Sequence, residues 1–167
     1  MDDPDVFLDY FEKVRGRTLR VAKCIPDEAF ETSPTGRGFS FGDILRHLAG
    51  IERYMFAETV TGGPSRYPGH QSTLASGPRA THEYIARLHA EAMEIFRSLG
   101  AEGMRRPCTT PGNTTMAAWK WLRSMIEHEA HHRGQIYTYL AILGVPTPPL
   151  YGLTSEQVRE RSEALDA

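Results

Sequence analysis

"WLRSMIEHEAHHRGQIYTYLAI", residues 121–142, is the stretch on which the fold of this chain turns. Steps of four and three along it pick out Trp121, Met125, His128, His132, Gln135, Tyr139 and Ile142. That spacing places all seven on one seam of a helix. The ends of the seam are apolar or aromatic, and its middle is His, His, Gln. Imidazoles and amides on a buried seam cost free energy unless each finds a partner. A seam that turns polar only at its centre therefore points to a site or to a hydrogen-bonded core network. His128 and His132 stand one turn apart on one face, so both rings can reach a single ion.

Outward from this segment, the pattern predicts a helix over about 116–143, capped by Thr114 or Thr115 and ended by Gly144, with Pro146 beyond. Three more helices follow from periodicity. One spans about 4–25, with Pro4 in its first turn and Pro26 after its end. A second starts at Ser40, where Asp43 three residues on completes a capping-box pattern. Its inward stripe is Ile44, Leu48, Ile51 and Met55, with His47 on the same stripe. A third covers about 79–99 and stops at Gly100, with His82 and His89 beside its apolar stripe and expected at the surface. Strand signals are nearly absent. The expectation is an all-α four-helix bundle, with short 1–2 and 3–4 links between antiparallel neighbours. The long polar connection 61–78 between helices 2 and 3 is expected to be a crossover, with His70 exposed on it. The chain reads as one domain, 1–167, with a core over about 5–152 and a polar tail, 153–167, in which "SEQVRERSEAL" forms a short helix.

Composition narrows the function. At 167 residues and a net charge of −2, nothing favours nucleic acid or an anionic membrane. No apolar run approaches the roughly 18 residues of a membrane span. The acidic start "MDDPDVFLDYF" lacks the basic and apolar regions of a secretory signal. Cys24 and Cys108 are two lone thiols, as expected in a reducing compartment. A cytosolic protein acting on a small molecule is the expectation.

His47 is the natural third partner for His128 and His132, because it is the other histidine on a buried stripe. Three imidazoles from two facing helices would leave a position open for water or substrate. A neutral all-imidazole set suits Zn, Ni, Cu or Fe better than Mg or Ca. A hydrogen-bonded histidine network and surface histidines are the competing readings. Around the triad, Gln135 is a candidate to hold a bound water, and Asp43 either caps helix 2 or orients His47. Trp121 and Tyr139 are candidates to wall the pocket. Arg133 is expected to be solvated, and His131 to face solvent or stand behind the ligands.

The same letters contain H-E-x-x-H, with Glu129 in the position of a general base on a metal-bound water. Its context is wrong for a protease. The longer form of that motif needs Gly at 135 and His at 138, and the chain has Gln135 and Thr138. Later glutamates, Glu156 and Glu160, lie in the polar tail, and no strand is visible to hold a peptide.

"RHLAGIE" around His47, H-x-x-x-H-R-G-Q on the last helix, "IPDEAF" after helix 1 and the "LGVPTP" exit together resemble the DinB family of putative metalloenzymes, over about residues 5–152. The resemblance implies a crossed-over four-helix bundle, often dimeric, with His47, His128 and His132 as metal ligands. It implies a divalent transition metal, nickel or zinc first, with iron or manganese as alternatives. Relatives include transferases and isomerases that use low-molecular-weight thiols. It therefore implies a metal-dependent S-transferase or a hydrolase, with Glu129 and Gln135 as candidate catalytic residues and a homodimer as the assembly. The alternative from another class is a non-catalytic metal-binding stress or sensor bundle.

Overall fold

The computed structural model describes residues 3–164, and the chain is mostly helical. Four long segments dominate: α1 (Pro4–Ala22), α2 (Phe41–Ile51), α4 (Gly77–Arg105) and α5 (Ala118–Ile142). Asp3 caps α1 through its carboxylate, with Pro4 in the first turn. The expected capping box starts α2: Asp43 N–H donates to Ser40 Oγ and Ser40 N–H to Asp43 Oδ2, both at 3.0 Å. A π-helical turn, Glu52–Phe56, joins α2 to the short α3 (Ala57–Val60). That wider turn shifts the helical phase. Phe56 and Val60 take the inward stripe, and Met55, expected there, is only half-buried.

Other boundaries also moved. Gly100 does not end α4: its φ of 59° and ψ of −177° kink the helix, which resumes to Arg105. No side chain caps α5, so neither Thr114 nor Thr115 plays that part. Residues 107–117 instead form a small antiparallel hairpin, β1 (Pro107–Thr109) with β2 (Thr115–Ala117), pairing Cys108 with Met116. Asn113, at φ 61°, makes the turn, a conformation that asparagine tolerates better than most residues. Three-residue strands carry too little alternation to show in the sequence. The tail forms α6 (Ser155–Glu163), with every residue outside the core. No helix among the described residues is long and apolar enough to cross a membrane.

The apolar core is split in two. One cluster holds Phe7, Phe11, Phe56, Phe96, Leu122 and Met125. The other holds Val21, Phe41, Ile44, Leu88, Ile136 and Leu140. Along α1 and α5 the chain passes from the first cluster to the second, and along α2 and α4 from the second to the first. Polar side chains mark each passage: Arg15 and Thr18 on α1, His89 on α4, Glu129, His132 and Arg133 on α5, and Glu52 just after α2. Helix α2 packs on α4 and α5, and α1 on α5 and α4, whereas α1 and α2 barely touch. The short 1–2 link therefore does not join close neighbours.

The polar belt is tied together by Arg15, which is 2% exposed. Its Nη2 meets Glu52 Oε2 at 2.6 Å and Glu129 Oε2 at 2.9 Å. His89, expected at the surface, is largely covered instead: its Nδ1 lies 2.7 Å from Glu52 Oε1 and its Nε2 3.4 Å from Glu12 Oε2. Phe11 stacks edge-on against the His89 ring and lies under the Arg15 guanidinium. Burial pushes the His89 imidazolium toward neutrality, but the hydrogen bond and charge of Glu52 outweigh it, and the pKa is raised. Arg133, expected in solvent, is 8% exposed and reaches Val14 O and Thr18 Oγ1 across the α1–α5 contact.

Two outcomes follow from this cluster. Removing the cation while leaving both carboxylates buried is expected to cost about 3–5 kcal/mol, so Arg15→Met should lower the urea midpoint sharply; a loss under about 1 kcal/mol would show that the pair does not hold the helices. Because the His89 pKa is raised on folding, its contribution is fully present below the unfolded value near 6.5 and fades as pH climbs through the folded value. The stability gap between the wild type and His89→Gln should therefore be widest in mild acid and narrow toward alkaline pH. A gap that widens with rising pH would contradict the charge on His89.

Candidate metal centre

On the α5 face that looks toward α2, one ring nitrogen each from His47, His128 and His132 lies within 4.8 Å of the other two. His47 Nε2 and His128 Nε2 are 3.0 Å apart. Two neutral nitrogens that close must share a proton or face a common cation. Ligand nitrogens about 2.0–2.1 Å from a tetrahedral zinc stand about 3.4 Å from one another, so the group needs only small side-chain shifts to hold one ion. No carboxylate or thiol joins this group among the described residues. The three histidines that the sequence put on facing buried stripes do converge: α2 and α5 pack together, with His47, His128 and His132 between them.

The far nitrogens have partners. His132 Nδ1 lies 2.9 Å from Gln135 Oε1, an atom that only accepts, so His132 carries its proton on Nδ1 and offers Nε2. Gln135 Nε2 in turn donates to the Tyr139 hydroxyl at 3.0 Å. His47 Nδ1 lies 2.7 Å from the Tyr67 hydroxyl, which lies 3.1 Å from His70 Nδ1. Phe39 lines one side, its ring 4.2 Å from that of His70 and nearly parallel to that of His132 at 6.1 Å.

Electrostatics keep the ligands neutral. Burial, with the neighbouring His132, His128 and His70, pushes His47 down to about 3. Burial, with His132 and His131, pushes His128 down to about 4. Burial also lowers His132, against the hydrogen bond that it donates to Gln135. Burial raises the Tyr67 phenol to about 12, so it stays protonated.

The other expected residues fall in several places. Gln135 stands behind His132. Glu129, 1% exposed, is on the face of α5 that meets α1, where Arg15 holds it outside the three-histidine group. Asp43 caps α2 and accepts from Arg46 Nη2 at 2.9 Å, and orienting His47 falls to Tyr67. His131 is exposed beside His132. Trp121 donates to Thr59 Oγ1 at 2.8 Å and packs on Phe56, so it belongs to the lower core and not to the pocket wall. His70, expected to be exposed, is half-buried against Phe39 and Tyr67. Tyr67, His70 and Phe39 escaped sequence reasoning because they lie in connections without periodicity. A second seam on α5 was legible: Leu122, Ile126, Glu129, Arg133, Ile136 and Leu140, all buried, are also polar only in the middle.

The sequence matches the profile of the DinB superfamily over residues 10–136. A DinB-like protein from Bacillus subtilis shares the fold at a TM-score of 0.70, with 18% identity over 89% of this chain and 99% of that one. A DinB-like protein from Bacillus cereus does so at a TM-score of 0.67, with 16% identity over 86% of this chain and 94% of that one. No curated protein matches the chain.

Neutral ligands predict a flat pH response. Three histidines of ordinary pKa, near 6.5, would weaken metal binding about a thousandfold between pH 7.5 and 5.5. With His47 near 3, His128 near 4 and His132 also lowered, the apparent zinc affinity should fall far less than that over the same range. Calorimetric titration at several pH values checks this, and a steep decline beginning at 6.5 would contradict it.

Proposed function

The chain belongs to the DinB superfamily, and from that premise we propose that it is a metal-dependent enzyme whose divalent transition metal is held by His47, His128 and His132. The observation that carries the reading is the convergence of three neutral imidazoles from two helices, with two of the outer nitrogens already engaged. Nickel or zinc suits such a donor set best, with iron or manganese next. When bound, the ion supplies a Lewis acid that lowers the pKa of a thiol or water in its open position. The chain's own residues do the rest. Gln135 holds the His132 ring and fixes its tautomer, and Phe39 lies alongside that ring. Glu129, through Arg15, anchors the turn of α5 that carries His128. S-transfer from a low-molecular-weight thiol and hydrolysis are the two reactions this arrangement fits.

We also read the fold as a four-helix bundle with a crossover between its second and third long helices. The order in which the helices pass through the two core clusters supports this. Helices α1 and α5 share one direction and α2 and α4 the other, so the chain between α2 and α4 must travel back along the bundle. A cytosolic homodimer is part of the same reading, on family grounds.

A purely structural metal fits less well. Structural zinc usually takes four protein ligands, and the Arg15 cluster already joins the helices without an ion. Protein purified without a metal-affinity tag is expected to carry close to one equivalent of transition metal, and His47→Ala to stay folded by circular dichroism while losing it. A wild type with under about a tenth of an equivalent that also fails to take up added nickel or zinc would sink the metal reading. Unfolding of His47→Ala together with metal loss would make the metal structural. In a thermal-shift screen, a thiol that stabilises only the metal-loaded form would assign transfer chemistry.

A further inference from the structure

We infer that the 61–76 connection is part of the site: Tyr67 is the positioning residue for His47, and His70 is a hydrogen-bond donor to an anionic oxygen, such as a carboxylate, on the bound small molecule. This rests on the metal reading above.

The connection is built into place. Arg46, on α2 and 0% exposed, donates from Nε to His70 O at 2.7 Å and from Nη1 to Ala75 O at 3.0 Å. Its charge is balanced by Glu31 and Asp43. Upstream, Arg66 N–H donates to Tyr54 O at 2.7 Å. Helix α2 also makes room: a Cβ on Gly50 would stand 3.1 Å from Tyr67 Cε2 and 3.6 Å from Gly69 O. A glycine three residues after His47 thus lets the Tyr67 ring lie against the helix beside the ligand it touches. Nothing in this requires Tyr67 for folding, since the Arg46 bonds go to backbone carbonyls.

Proton counting then gives the relay a direction. If His47 gives its Nε2 lone pair to the ion, the one proton of the neutral ring sits on Nδ1 and is donated to Tyr67 Oη, 2.7 Å away. A phenol is protonated near neutral pH, so its single O–H goes to His70 Nδ1 at 3.1 Å. His70 must therefore carry its proton on Nε2. That N–H has no partner among the described residues, and the ring lies 4.2 Å from that of Phe39, which also packs beside His47 and His132. The His70 ring centre is 6.1 Å from that of His47. A donor at that range suits a group on the substrate next to the atom held at the metal, not that atom itself.

The test uses the full chain loaded with cobalt, whose visible spectrum reports the ligand field. Tyr67→Phe is expected to stay folded and lose about 10- to 100-fold in cobalt affinity, as outer partners of metal-bound histidines generally do. Nitrogen NMR of the loaded wild type is expected to show His70 protonated on Nε2, and Tyr67→Phe to lose that preference. His70→Ala should keep cobalt affinity within about threefold, yet bind acetate, followed by the cobalt spectrum, about tenfold more weakly than the wild type. Unchanged metal affinity in Tyr67→Phe, or a His70 protonated on Nδ1, would overturn the relay. Equal acetate affinity in His70→Ala would overturn the donor role. A wild type that takes up no cobalt would bring down the metal reading and this inference together, an outcome distinct from a wild type that binds it and variants that do not differ.

Discussion

One guanidinium sets the frame of this protein. Arg15 on α1 holds Glu52, at the end of α2, and Glu129 on α5, and Glu52 holds His89 on α4. Four helices thus meet at one charged cluster with almost no contact to water. An apolar core of similar volume would tolerate helices sliding by a turn. A buried ion pair does not, because a slide leaves a charge without its partner. The cluster therefore defines where along its length each helix crosses the others, and the two apolar cores fill the space on either side.

That registry positions the three histidines. Helix α5 carries polar residues at mid-length on two faces, Glu129 and Arg133 toward α1 and His128 and His132 toward α2. Holding the first face against Arg15 leaves the second opposite His47. The π-helical turn that begins at Glu52 serves both sides, because it lets α2 present His47 to the site and then rejoin the lower core at Phe56 and Val60. The acidic and the imidazole clusters are separate in chemistry as well: one is an ion-paired cluster around Arg15, the other a group of imidazoles held neutral by burial. H-E-x-x-H therefore joins two residues of the imidazole group and one of the Arg15 cluster, although the three are neighbours in the sequence.

The return of the chain from α3 to α4 adds the last layer. The 61–76 connection lays Tyr67 against His47, and His70 against Tyr67. Arg46, one residue from His47, fastens that connection by its carbonyls. Adjacent residues of α2 thus face different partners, one the histidine group and one the 61–76 connection.

Much of this was legible in the sequence by itself. The helices followed from their 3.6-residue period, the start of α2 from Ser40 and Asp43, and the triad from imidazoles placed on stripes that had to be buried. Residues whose function depends only on the face of their own helix can be read from spacing. The hairpin at 107–117, the kink at Gly100 and the phase shift after Ile51 could not, since each departs from the period that makes a helix visible. Partnership was also beyond it. His89 looks like an ordinary polar residue beside an apolar stripe, and the second seam of α5 marks Glu129 and Arg133 as inward without naming their partners, which only packing against Arg15, Thr18 and Glu52 supplies. Tyr67 and His70 sit in a loop with no pattern at all. The sequence by itself determined which faces are apolar and which side chains can bind a metal, because those are local properties. Tertiary structure decided which polar groups share a desolvated space, because that depends on distances between segments far apart in the chain.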